Sequence, residues 1–167
     1  MARPMAVEVV NRQKTRRLNL ALLRSIIRWL ATEWPAGSAD NSGVLGGRLC
    51  VQLINAAAMA DLNQKFLDHA GSTDVITFDY RERTAPDGWC GEIFLSVDDA
   101  VACGPKYGAS WQVELTRYLV HGMLHLRGYD DTRLAARRKM KRAEGHLLKT
   151  LSRRFDLSKL DRLKDVT

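Results

Sequence analysis

Between Ser110 and Gly128 the apolar residues Leu115, Leu119, Val120, Met123 and Leu124 recur at three- to four-residue spacing, the period of a helix that buries one face. Ser110 stands where a helix N-cap belongs. Gly128 stands where the chain can turn through the left-handed region to stop it. A helix so patterned must lie against a sheet or other helices, and this one carries His121 and His125 four residues apart, one above the other on the same side.

Shorter elements surround it. Ala6 to Val10 reads as a strand, and Arg17 to Glu33 as a helix with Leu18, Leu22, Ile26, Ile27 and Leu30 on one face. Trp34 to Gly47, with Pro35 and four glycines, reads as a loop. Leu49 to Ile54 is a second strand. Asn55 then caps a helix through Ala56 to about Leu67. Asp74 to Phe78 and Gly91 to Leu95 read as the third and fourth strands, joined by a hairpin-like connection through Pro86, Asp87 and Gly88. Ser96, three residues before Asp99, caps a helix from Val97 to about Tyr107. A basic helix runs from Leu134 to Arg154, and the tail after Asp156 is weakly patterned and expected to be loose. Strands and helices mix without strict alternation. The expected class is α+β, a small mixed sheet of about four strands packed with several helices, in one domain over residues 1–167.

The 26 Lys and Arg against 19 Asp and Glu leave a net charge of +7, which favours an anionic partner such as nucleic acid or a membrane surface. No apolar run approaches the ~20 residues that span a bilayer, and the N-terminus lacks the apolar core of a secretory signal. The expectation is a cytoplasmic protein with no membrane partner. Cys50, Cys90 and Cys103 form no C-x-x-C pair and read as small core residues of a reducing compartment.

The chemistry concentrates in HGMLHLRGYDD, His121 to Asp131. Two imidazoles on one helix face can point at one ion, and the return of the chain after Gly128 can bring Asp130 or Asp131 to a third position. Two His and one carboxylate leave a fourth position for water, as in catalytic zinc sites, and a bound ion lowers the pKa of that water toward ~7. Such a donor set also suits iron, cobalt or nickel. In H-E-x-x-H proteases the residue after the first His is the general base. Here it is Gly122, which points to a substrate other than peptide. No side-chain catalytic base is assigned beyond the metal's water.

The same stretch resembles the signature of the YbeY family of bacterial endoribonucleases, H-G-x-L-H-L-x-G-Y-D-H, at His121, Gly122, Leu124, His125, Leu126, Gly128, Tyr129 and Asp130. Ser72 to Phe78 resembles the family's P-T-D-V-L-S-F, and Gly91 to Ser96 its G-D-I-x-I-S. The likeness spans roughly residues 48 to 145. It implies one zinc ion per chain, held by His121, His125 and Asp131, the last standing where the family has a third His. It further implies a single-strand-specific ribonuclease acting on ribosomal RNA precursor, in maturation of the 16S rRNA 3′ end and in ribosome quality control. The partners implied are RNA and the small ribosomal subunit, with no nucleotide cofactor. Asp131 brings a negative charge that makes the ion a weaker Lewis acid. The family's arginine after Asn63, thought to face RNA phosphate, is Leu67 here, and its lysine is His69.

Thr73 and Asp74 are candidates to line the cleft beside the metal, or form a strand-start turn. His69 and Asp130 are further substrate-binding candidates, though His69 reads rather as a solvated residue at a helix end. His146 reads as structural. Arg133, Arg137, Arg138, Lys139, Lys141 and Arg142 could track an RNA backbone or simply be a solvated helix face. Trp29, Trp34, Trp89 and Trp111 read as core or rim residues. The rival from another class is a non-catalytic ribosome-binding factor that keeps the fold and the metal.

Overall fold

A computed structural model describes residues 5–32, 47–80 and 89–162. Most of the glycine-rich loop, the connection at 81–88 and Trp34 lie outside the described residues, as do the side chains of Trp89 and Cys90. Four strands form one sheet in the order β1-β2-β4-β3. They are β1 (Ala6–Asn11), β2 (Arg48–Ile54), β3 (Val75–Asp79) and β4 (Trp89–Ser96). β1, β2 and β4 run parallel, and β3 pairs antiparallel to β4 with Thr77 opposite Ile93.

The helices are α1 (Leu20–Thr32), α2 (Ala56–Leu67), α3 (Val97–Cys103), α4 (Trp111–Leu126) and α5 (Leu134–Arg154). The strand alternation decides what each sheet face meets. Leu49, Val51, Leu53, Ile93 and Leu95 point into the main core with α1, α4 and α5, while Ile54 and Ile76 pack with Met59 in a smaller cluster under α2. α4 is buried along most of its length, with Leu115, Leu119, Val120, Met123 and Leu124 in the core. Each such side chain contributes about 1.5–3 kcal/mol by leaving water. Among the described residues no helix is long and apolar enough to cross a membrane.

The expected caps are present: Asn55 accepts from Ala58 N, Ser96 from Asp99 N and Ser110 from Val113 N. Three boundaries differ from expectation. α1 begins at Leu20 rather than Arg17, because Asn19 Oδ1 accepts from Leu22 N at 3.0 Å and Leu18 is drawn into a bridge with Asp161. α3 stops at Cys103, and the chain tightens into a 3-10 turn, Gly104–Tyr107, at Pro105, whose missing N–H cannot continue the ladder. The tail is not loose as far as it is described. Leu157–Leu160 forms a second 3-10 turn, with Leu157 and Leu160 buried in the main core and Asn19 N donating to Leu160 O.

Candidate metal centre

α4 lies against the sheet at Gly122. A Cβ at this position would meet Ile93 Cγ2 at 2.9 Å and Thr77 Oγ1 at 3.0 Å, so the close approach requires glycine. That contact turns His121 and His125 to the half-exposed flank of the helix. After His125 the chain ends the helix with Gly128 at φ 87°. Gly128 N donates to His125 O and Tyr129 N to Leu124 O, the two reversed bonds of a Schellman turn. Arg127, buried, donates to the carbonyls of Leu30 and Ala31 near the end of α1 and ties the turn to the core.

The reversal brings Asp131 back to the helix. His121 Nε2 and His125 Nε2 stand 3.1 Å apart, and Asp131 Oδ2 lies 3.5 Å from the first and 3.7 Å from the second. Three atoms bound to one tetrahedral ion at 2.0–2.2 Å are separated by about 3.3–3.6 Å, so the three atoms lie within a few tenths of an ångström of the spacing an ion would set.

The proton positions follow from the outer partners. Tyr129 O, 3.1 Å from His125 Nδ1, can only accept, so Nδ1 carries the hydrogen. Glu144 Oε2 is 3.1 Å from His121 Nδ1. Burial pushes the Glu144 carboxyl up, but the hydrogen bond and charge of His121, with Arg117, outweigh it, and its pKa is lowered. As a carboxylate it too accepts. In the neutral rings both Nε2 atoms therefore turn lone pairs toward each other and toward a carboxylate oxygen. Three electron-pair donors in one spot repel unless a positive charge sits among them, either a proton on His121 or a metal ion, and the donor set fits a divalent ion. The same field acts on His121, where burial disfavours the imidazolium but Glu144, Asp74 and Asp131 more than compensate and its pKa is raised.

Asp130 does not join them. Its carboxylate accepts from Thr132 N at 3.0 Å and Thr132 Oγ1 at 2.6 Å, which lowers its pKa; it shapes the turn that delivers Asp131. Thr73 and Asp74 line a cavity of about 690 Å³ together with His121. His69 is exposed beyond α2 and is not among its lining residues, and His146 is exposed on α5. Of the α5 cations, only Lys141 reaches this cavity.

Sequence reasoning passed over Glu144, Arg117 and the Tyr129 carbonyl. Arg117 bridges Glu114 and Glu144 at 3.3 Å each, with Glu114 4% exposed, which holds Glu144 against His121. One signal was available: Glu144 is the only acid in the 21 residues of α5.

Fold and cluster together define an α+β protein with a His-His-carboxylate centre on a buried helix at the mouth of a cleft. A sequence model described as Endoribonuclease YbeY matches residues 8–152, and the chain belongs to that family. It is 32% identical over 151 residues to a protein named Endoribonuclease YbeY from Salinibacter ruber, covering 87% of this chain and 91% of the relative. A protein of the same name from Chlorobaculum tepidum is 31% identical over 144 residues, 86% and 96% of the two chains. The fold is also similar to a solution structure of a Thermotoga maritima protein, with a TM-score of 0.54 at 19% identity over 89% of this chain and 93% of that one.

Proposed function

We propose that the chain is a metal-dependent endoribonuclease that cuts single-stranded RNA, holding one zinc ion through His121, His125 and Asp131. The proposed substrate is ribosomal RNA, with roles at the 16S 3′ end and in ribosome quality control, in the cytoplasm and in company with the small ribosomal subunit. The observation that carries the metal is the convergence of three lone-pair donors, two of them fixed from behind by Glu144 and the Tyr129 carbonyl. The activity rests on family membership and on the names of the relatives.

A bound divalent ion supplies Lewis acidity toward a phosphate and lowers the pKa of a water. The chain's own part is placement. Glu144 and the Tyr129 carbonyl keep both imidazoles in the tautomer that offers Nε2. Lys141, lining the cavity beside His121, supplies a positive charge for a phosphate oxygen. Leu67, which occupies the position of the family's arginine, is 48% exposed and does not line that cavity; the lost clamp is answered from α5. Gly122 leaves no carboxylate beside the first His, against the protease reading.

The test is cleavage of end-labelled single-stranded and duplex RNA by zinc-loaded protein, with the product ends identified. The reading expects internal cuts in the single strand only, abolished in His121→Ala. A cyclic phosphate end would assign the 2′-hydroxyl as nucleophile. Intact RNA together with tight binding to small ribosomal subunits would overturn the enzyme in favour of a non-catalytic ribosome factor. Metal-dependent cleavage of casein would restore the protease.

A further inference from the structure

The cavity beside His121 is an unwelcoming place for a polyanion. Its lining includes the carboxylates Asp74, Asp99, Glu114 and Glu144 against only Arg117 and Lys141 as permanent cations, and Arg117 is already engaged by two of those acids. One ion can offset the deficit at one phosphate. It cannot hold the several phosphates of a bound strand, yet the whole chain carries +7.

The missing cations gather elsewhere. A groove of about 1060 Å³ at the start of α1 is lined by Lys14, Arg16, Arg17, Arg24 and Arg162, and among the described residues no acid lines it. The loop that displays three of them is rigidly built. Gln13, 4% exposed, donates to Asn11 Oδ1 and Arg16 O, each at 2.9 Å, and its Oε1 accepts from Arg16 N at 3.0 Å. From the other side Arg162 N donates to Arg17 O at 2.9 Å. The backbone that carries Arg16, Arg17 and Arg162 is thus fixed by amide and backbone bonds. Cations that line one groove without an acid give it a positive field that favours an anion.

Contacts link the loop of the groove to α3 and α4, which both contribute to the cleft. Thr15 Oγ1 donates to Asp98 in the first turn of α3, and Asp98 accepts from Ala56 N at 2.8 Å as well. The next residue, Asp99, lines the catalytic cavity. The Arg16 guanidinium lies 6.0 Å from the centre of the Trp111 ring at the start of α4, the helix whose Glu114, Arg117 and Tyr118 line the cavity farther along.

We propose that this groove is a second, non-catalytic RNA site, which holds backbone phosphates of the substrate strand a few nucleotides away from the bond in the cleft. The proposal rests on the ribonuclease reading for the identity of the polyanion. The basic groove supplies affinity, and the acid-lined cavity with its ion supplies the reaction. Short RNAs reach only the cavity, and long ones bridge both.

Binding of single-stranded 2′-O-methyl RNAs of about four and about twenty nucleotides, followed by fluorescence anisotropy across a salt series, tests this in the zinc-loaded protein. In Lys14→Ala/Arg17→Ala/Arg24→Ala, three lost phosphate contacts flatten the plot of log affinity against log salt by about 2 and weaken the long RNA about a hundredfold at 0.1 M salt. The short RNA is unaffected. The charge-keeping variant Lys14→Arg/Arg17→Lys/Arg24→Lys retains the wild-type slope, and Lys149→Ala/Arg153→Ala, on the far part of α5, leaves it unchanged. Should the triple variant fold poorly, Arg17→Ala alone carries a slope change of about 0.7. Equal affinity and slope for variant and wild type, or equal losses for both RNAs, would overturn the groove and leave an acidic protein as its occupant, with the ribonuclease reading intact. A wild type that binds neither RNA overturns both.

Discussion

Glu144 is the residue that best separates a metal centre from a chance cluster. Its carboxylate holds the His121 tautomer and is itself held by Arg117. Such outer partners typically contribute 10–100-fold to metal affinity. Glu144→Gln is therefore expected to weaken the metal about 10–100-fold by chelator competition while the circular dichroism spectrum stays that of the wild type. Unchanged affinity would mean that the hydrogen bond plays no part in holding a metal. The His pair and the glycine stop were legible because helical periodicity needs only one sequence. Glu144 was not, since it meets His121 from 23 residues away and nothing local announces the pairing. The choice between Asp130 and Asp131 likewise needed the hydrogen bonds of Thr132. Gly122 could be read only as a missing base, and the sheet beneath it supplies the stronger reason for its identity. Gly122→Ala is expected to destabilise the fold by about 1–3 kcal/mol in urea, through overpacking against Ile93 and Thr77.

At the level of elements, α2 and α5 run over the residues expected of them, and Asn55, Ser96 and Ser110 cap as expected. These are local signals, carried by side chains within three residues of the backbone they satisfy. Where tertiary contact decides, sequence reading fell short. α1 starts late because Leu18 belongs to a bridge with Asp161, 143 residues on. The closing turn, Leu157–Leu160, lacks the length for a periodic pattern and is nonetheless buried against α1 and α4. Leu160→Ala is expected to cost about 2–5 kcal/mol of stability. Its unfolding midpoint should drop well below that of Ser158→Ala, a change beside the same core in an exposed residue. Equal midpoints would show that the turn is only laid on the surface.

For the whole molecule, the sheet, the buried helix and the Schellman turn act together to fix three donor atoms within 4.8 Å of one another. Charge is divided between an acid-rich cavity and a basic groove. A ligand that binds only the folded chain raises its stability by mass action. Removing the metal with a chelator should thus lower the thermal midpoint of the wild type, and leave that of His121→Ala where it was. Elemental analysis of the purified protein, beside His125→Ala and Asp131→Ala, reaches the central claim most directly. About one zinc per wild-type chain is expected, absent from His125→Ala and reduced in Asp131→Ala. A wild-type chain that is folded and binds no divalent metal, even after incubation with excess zinc, would contradict it.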